Sequence, residues 1–282
     1  MGASEINNLV GFSVLISVYK NDKAEDFRRA LNSITSNQTV RPTEVVLVID
    51  GPVPDEIHSI IEEAELQSPD LYKVVRLKEN QGLGIALQKG LEAASYDIVM
   101  RMDSDDIAVP VRFEKQYKHM VEHPNVVVCG GQIDEFIDDP GNIVGRRIVP
   151  CSNEEIYKYM ISRCAFNHMT VALRRSVILA QGNYQPWHYN EDYYLWIRLM
   201  MAKVEFANLP DILTHVRVGR DMYRRRGGRK YYESELGLQK LMLSNNLISR
   251  PRYWFNVVVR WVVQVGMPDW LRGFVFQKLF RE

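Results

Sequence analysis

The hydrophobic rhythm of residues 12–103 leaves this chain few folds to choose from. "FSVLISVY" (12–19) is an apolar run of strand length, and "DKAEDFRRALNSITS" after it places Ala24, Phe27, Ala30, Leu31 and Ile34 on one helical face. "EVVLVID" (44–50) and "PDEIHSIIEEAEL" (54–66) repeat the pair. "YKVVRL" (72–77) and "GLGIALQKGLEAAS" repeat it again, and "YDIVMRMD" (96–103) opens a fourth strand. Short strands alternating with helices predict a parallel sheet covered on both faces. In such sheets ligands bind beyond the carboxyl ends of the strands. Ser17, Tyr19, Asp50 and the acidic run "MDSDD" (102–106) all fall at such ends.

After residue 125 the pattern shortens. "NVVVCGGQIDEFID" and "NIVGRRIVP" read as strands joined by the turn "DDPGN". A helix is expected over 153–161, a short strand near "HMTVAL", and a helix opening "NEDYYLWIRLMMAK" (190–203). "EFANL" and "ILTHVRV" read as two short strands, and from 229 onward the chain reads as helical. There is no internal repeat.

Three carboxylates within four positions, Asp103, Asp105 and Asp106, repel one another unless something positive sits among them. Asp103 and Asp105 would point to the same side, while Asp106 would take backbone amides of the following turn. A hard divalent cation suits such a pair, because it takes oxygen ligands and completes its shell with substrate phosphates. The plainer reading is an N-cap ahead of a helix near Pro110, but a cap needs one carboxylate. Glu191 and Asp192 open a strongly apolar helix, where acids suit the macrodipole; the competing reading makes one of them a general base. Trp187, Tyr189, Tyr193 and Tyr194 surround that pair as a sugar-stacking platform or as core. "NQGLGIALQKG" (80–90) puts two glycines where a strand turns into a helix, which allows backbone to approach a phosphate. It matches neither the dinucleotide fingerprint nor the Walker loop. His168 and His215 stand alone and read first as core histidines.

Composition narrows the partners. Lys+Arg and Asp+Glu are both 35, so no global field argues for nucleic acid. Cys129, Cys151 and Cys164 form no CxxC pair and leave an odd one out, as in a reducing compartment. The start "MGASEINNLVGF" has neither the charged n-region nor the apolar core of a signal peptide, and no uninterrupted apolar run of about 18 residues occurs. A cytoplasmic protein is expected.

Taken together, "SVY", "VIDGP", "ENQGLG", "DSDD" and the late "ED" resemble family 2 glycosyltransferases, the inverting, nucleotide-sugar-dependent group, over roughly residues 12–230. "MRMDSDD…RFEKQ", "FNHMT", "EDYYLWIRL" and "RVGRDMYRRRGG" are similar to the amylovoran-type branch, which builds bacterial exopolysaccharide, capsule or O-antigen repeat units. The resemblance implies an α/β fold of GT-A type, a Rossmann-like mostly parallel sheet with helices on both faces, plus a C-terminal helical extension. It divides the chain into a catalytic domain at 1–228, with a nucleotide-sugar half at 1–106 and an acceptor half at 107–228, and a helical region at 229–282. It also sorts roles. Ser17, Tyr19 and Asp50 would cradle uracil and ribose, with Asp50 accepting from the base N–H. Asn80, Gly82, Lys89, Arg101, Asp103 and Ser104 would complete the nucleotide-sugar site. Asp105 would bind Mn²⁺ or Mg²⁺, with His215 as a further metal or phosphate contact. Asp192 would be the base, beside Glu191. Many relatives carry Arg in the helix after the glycine-rich loop; here "IALQKG" offers only Lys89. The implied reaction moves a hexose, from UDP-Gal or UDP-Glc, onto a sugar of a lipid-diphosphate acceptor and turns an α-linked donor into a β-linkage. A sugar nucleotidyltransferase would also want carboxylates and metal but a glycine-rich first loop, which "ISVYKNDK" lacks; a carbohydrate-binding module would need no acid pair.

The tail "RYWFNVVVRWVVQVGMPDWLRGFVFQKLFRE" (252–282) carries Trp254, Trp261 and Trp270 among cations at Arg252, Arg260, Arg272, Lys278 and Arg281. Arg260 and Pro268 interrupt it, so it should lie in a membrane interface rather than span one. Packing on the catalytic domain, or a homodimer contact, is the alternative. The expected protein is peripheral on the inner face of the bacterial cytoplasmic membrane, with Trp187, Arg224, Arg225 and Arg226 meeting acceptor diphosphate or headgroups.

Overall fold

A computed structural model describes residues 11–219 and 227–268. Arg224, Arg225 and Arg226, and the tail residues Trp270, Arg272, Lys278 and Arg281, lie outside the described residues. The first half follows the expected alternation: β1 (Ser13–Val18), α1 (Ala24–Ile34), β2 (Glu44–Ile49), α2 (Asp55–Gln67), β3 (Tyr72–Arg76), α3 (Leu83–Ala93) and β4 (Ile98–Met102). The second half adds β5 (Ile107–Ala108), α4 (Arg112–Glu122), β6 (Val126–Phe136), β7 (Ile143–Arg147), α5 (Asn153–Met160), β8 (Ala172–Arg174), α6 (Arg175–Ala180), α7 (Glu191–Met201) and β9 (Glu205–Arg217). Two helices follow, α8 (Arg229–Ser244) and α9 (Arg250–Trp261), and α9 runs into a π-helical turn at Val262–Gly266.

One nine-stranded sheet orders these strands β3-β2-β1-β4-β8-β6-β9-β5, with β7 on β6. β1, β2, β3 and β4 are parallel neighbours, β8 runs against both β4 and β6, and β6 and β9 are parallel again. Both faces are covered, which is why β1 and β2 are apolar without alternation. Val14, Ile16, Val45 and Leu47 pack with Phe27, Ile34 and Ile57 on one face. Leu15, Val46 and Val48 pack on the other, in a core that includes Leu87 and Leu91 of α3, Trp196 of α7, Leu238 and Met242 of α8, and Tyr253 and Val257 of α9. The C-terminal helices therefore complete this face. Asn256 Nδ2 donates to the Ile161 carbonyl at 2.8 Å, and Arg260 pairs with Glu235 at 2.5 Å.

One expectation needs correcting. "EFANL" and "ILTHVRV" form one strand, β9, which crosses Pro210 by slipping register. Gly130 pairs with Asn208 but Gln132 with Ile212, as a residue without an N–H requires inside a ladder. Gln132 fills the gap, its Nε2 donating to the Leu209 carbonyl at 2.9 Å. The next helix begins at Arg112, near Pro110 as expected, after the short strand β5.

Candidate active site

The chain turns from β1 to β2 on one side and reaches β4 on the other, so β1 and β4 bracket the sheet's switch point. Ser17 and Tyr19 close β1 there, and "DSDD" leaves β4. The first positive group among the carboxylates belongs to the protein. Arg101, 2% exposed, donates from Nη1 to Asp103 Oδ2 at 2.8 Å and from Nη2 to Oδ1. Asp103 holds the Arg101 guanidinium charged against burial that opposes it. Asp106, buried, accepts from the Arg217 amide at 2.9 Å; the amide comes from β9 and not from the following turn.

One guanidinium does not neutralise this cluster. Asp22, from the loop after β1, joins it: Asp22 Oδ2 accepts from Ser104 Oγ at 2.8 Å and from the Tyr19 amide at 3.0 Å. Burial pushes the Asp22 carboxyl up, and Asp103 adds to this. Asp105 is pushed up to about 7 by burial and by Asp103 and Asp22. No three His, Cys, Asp or Glu side chains among the described residues form a ready metal cage. A hard cation would therefore fit here as a partner shared with a ligand, since Mg²⁺ is commonly held by one or two carboxylates plus phosphates.

The glycine-rich loop is tied to the same place. Asp50, 4% exposed, accepts from Asn80 Nδ2 at 3.0 Å, the Gln81 amide at 2.7 Å and the Gly82 amide at 2.9 Å. Two carboxylate oxygens offer about four acceptor positions, so Asp50 anchors the loop and keeps roughly one more. Gly82 starts α3 at φ +87°, a backbone that side chains resist. Two residues on, a Cβ at Gly84 would lie 3.4 Å from Glu191 Cβ, which brings the start of α7 against the loop. Lys89 pairs with Glu92 at 2.9 Å on the exposed side of α3; Arg101 is the cation bonded to the acidic cluster.

Asp192 and the acidic cluster meet in a cleft of about 590 Å³ lined by Asp103, Asp105, Asp106, Asp192 and Tyr189. Asp192 Oδ1 accepts from the Tyr193 amide at 2.7 Å, and Cys164 Sγ approaches Oδ2 at 3.9 Å. The Cys164 thiol is kept neutral, pushed up to about 12 by burial and by Asp192. Glu191 is pushed up to about 7 by burial and by Asp192. A carboxyl raised in the folded state is stabilising below its unfolded value and loses that contribution as pH rises toward 7. Glu191→Gln is accordingly expected to raise Tm at pH 8 by roughly 2–4 °C and to leave it unchanged at pH 4.5. Thermal melts at the two pH values check this, and equal shifts at both would contradict it.

Two residues sit elsewhere than the resemblance implies. His215 Nδ1 lies 3.8 Å from Asp134 Oδ2 on the strand face opposite Val216, and Val216 is the one that lines the cleft. Trp187 stacks on Tyr194 at 4.4 Å and donates to the Ser234 carbonyl at 3.2 Å, which ties α7 to α8 away from the cleft. His168 lines the cleft; its Nε2 is 2.9 Å from Tyr184 Oη, and burial with Arg101 nearby holds the ring neutral. The exposed aromatic in the cleft is Tyr189, at φ +57° and 6.4 Å from Tyr231. No local pattern marks Asp22, Arg147 or Glu235, whose partners Ser104, Cys164 and Arg260 come from distant segments.

Residues 13–182, which hold the parallel strands and the acidic cluster, match the family description "Glycosyl transferase family 2". The chain belongs to glycosyl transferase family 2. It is 39% identical over 95% of its length to the amylovoran biosynthesis glycosyltransferase AmsE of Erwinia amylovora, covering 98% of that protein. It is 34% identical over 96% to the UDP-Gal:alpha-D-GlcNAc-diphosphoundecaprenol beta-1,3-galactosyltransferase of Escherichia coli, covering 96% of that protein. Among solved structures, S. aureus TarS 1–349 in complex with UDP-GlcNAc superposes with TM-score 0.66 at 19% identity, covering 90% of this chain and 73% of that one. The mannosyltransferase PcManGT from Pyrobaculum calidifontis, in complex with GDP-Man and Mn²⁺, superposes with TM-score 0.61 at 14% identity over 97% and 84%. The family 2 glycosyltransferase fold is thus of GT-A type, with the C-terminal helices packed on it.

Proposed function

We propose that this glycosyltransferase moves a hexose from a UDP-sugar, UDP-Gal or UDP-Glc, to a sugar carried on a lipid diphosphate in bacterial surface polysaccharide synthesis, forming a β-linkage by inversion. The observation that carries this reading is a single cleft lined by Asp103 and Asp105 from the end of β4 and by Asp192 from the start of α7. AmsE and the galactosyltransferase, named for amylovoran synthesis and for a diphosphoundecaprenol acceptor, support the substrate class.

In this reading Ser17, Tyr19 and the remaining acceptor position of Asp50 receive the nucleoside, and the loop Asn80–Gly82 lies along the donor. Asp192 takes the proton of the acceptor hydroxyl as it attacks the anomeric carbon from the face opposite the nucleotide. Cys164 and the Tyr193 amide orient that carboxylate. Arg101 fixes Asp103 at the nucleotide-sugar side. Asp105 would hold Mn²⁺ or Mg²⁺, which when bound would supply Lewis-acid neutralisation of the leaving diphosphate. UDP release on mixing with UDP-hexoses and a lipid-diphosphate sugar should depend on the acceptor. No UDP from that mixture, with pyrophosphate released instead from UTP and a hexose 1-phosphate, would indicate a nucleotidyltransferase.

The reading includes a membrane surface. α9 buries Tyr253 and Val257, but Trp254 (63% exposed), Phe255 (60%) and Trp261 (52%) face outward with Val258 and Val262. Arg252 lies over Phe255 at 5.8 Å. Aromatic residues edged by cations suit a lipid interface, and no described helix is long and apolar enough to cross a membrane. Because α9 also completes the core, truncation near residue 250 would unfold this face, so surface substitution is the sound test. Trp254→Gln/Trp261→Gln is expected to lose most co-sedimentation with anionic liposomes while keeping its fold. Undiminished partitioning would rule this face out as the attachment.

A further inference from the structure

Another part of the cleft lining is cationic. Three guanidiniums gather on the segment 162–166. Arg260 Nη2 donates to the Ser162 carbonyl at 2.5 Å. Arg147 donates to the Cys164 carbonyl at 2.8 Å, the Phe166 carbonyl at 3.0 Å and Asn167 Oδ1 at 2.8 Å. Arg163 belongs to the segment itself, its guanidinium 5.2 Å from the Tyr159 ring centre. All three line the cleft. Glu235 pairs with Arg260, and Arg147 and Arg163 line the same cleft. The three acceptors that hold Arg147 fix the plane of its guanidinium.

The position of this cluster follows from the same segment. Cys164, whose carbonyl accepts from Arg147, places its sulfur 3.9 Å from Asp192 Oδ2. Arg147 is thus linked through one residue to the carboxylate that would take the acceptor's proton. The wall continues in apolar side chains, since Val259 and Val263 line the cleft. Trp254, Phe255, Val258 and Val262 extend that surface around the helix to solvent. Base, paired cations and apolar surface follow one another as hydroxyl, diphosphate and lipid do in the acceptor.

We infer that Arg147 and Arg163, framed by Arg260, form the subsite that grips the acceptor's diphosphate. Two planar guanidinium forks match the oxygens of a group carrying two negative charges. This assignment rests on the acceptor being a lipid diphosphate, but its test does not require turnover.

The test is equilibrium binding of farnesyl diphosphate, a polyprenyl diphosphate without a sugar, to the full chain in EDTA, which removes metal-dependent binding at Asp105. Arg163→Gln is expected to weaken binding roughly tenfold or more, the scale of a lost charge-assisted contact. Arg147→Lys, which keeps charge but loses the fork, should weaken it by a smaller factor. Arg28→Gln, at an exposed arginine of α1 paired with Glu63 outside the cleft, should leave it unchanged, and farnesol should bind wild type and Arg163→Gln alike. Equal farnesyl diphosphate affinity for wild type and Arg163→Gln overturns the subsite, whether or not sugar transfer is ever seen. Arginine-dependent binding with no transfer to any lipid-diphosphate sugar would uphold the subsite and fault the reaction reading alone. Phosphatidylglycerol vesicles separate the two phosphate sources: Arg163→Gln should partition onto them as wild type does. A tenfold loss there would make the pair a general headgroup contact and overturn the assignment.

Discussion

Asp192→Asn is expected to lower kcat by roughly 10²-fold or more while leaving the donor KM near that of the wild type. The amide keeps the shape of the side chain and its bond from the Tyr193 amide, but it cannot take a proton at neutral pH. A hundredfold loss corresponds to about 2.7 kcal/mol of transition-state stabilisation, the scale of one general base. Asp192 lines the cleft, whereas Glu191 lies against Gly84. Glu191→Gln should therefore cost much less activity than Asp192→Asn. Steady-state kinetics on the two variants check the assignment, and the reverse order would move the base to Glu191.

Asp105→Asn is expected to reduce transfer by roughly 10²-fold or more, the scale of losing one electrostatic stabiliser of the developing charge. EDTA should act in the same direction on the wild type, and Mn²⁺ or Mg²⁺ should restore activity. The physical basis is the crowding of Asp22, Asp103 and Asp105, which one buried guanidinium leaves short of positive charge. A second readout separates a metal role from simple misfolding. UDP-sugar affinity should rise with added metal in the wild type and stay flat in Asp105→Asn. Full activity in EDTA, with elemental analysis showing no bound metal, would contradict the assignment.

The parts of this account that were legible in sequence are those set by local pattern. β1, β2 and β4 could be read because a sheet covered on both faces writes itself as unbroken apolar runs. The residues at their carboxyl ends then followed from topology alone. β9 was misread as two strands because Pro210 looks like a break; only β6, with Gln132 bonded to the Leu209 carbonyl, shows that the ladder slips past it. Asp22 was missed because its partner Ser104 arrives from 82 positions away. His215 reads from its sequence as a core histidine or as a metal or phosphate contact, and only the β6–β9 register shows its neighbour Asp134. Trp187 reads from its sequence as a sugar-stacking or a core aromatic beside the acid pair; its bond to the Ser234 carbonyl of α8 has no local sequence signal. The tail was legible as amphipathic, while the anchoring of one face by Asn256 and Arg260 needed the packed helices.

The central claim, an inverting transfer onto a lipid-linked sugar, is tested most directly by the anomeric configuration of the product. An α-linked UDP-hexose and a GlcNAc-diphosphate-lipid acceptor would be incubated with the full chain and metal, and the disaccharide examined by NMR. Single displacement with Asp192 as base predicts a β-linkage, seen as the large axial coupling of the new anomeric proton when the donor is galactose or glucose. An α-linked product would contradict the account.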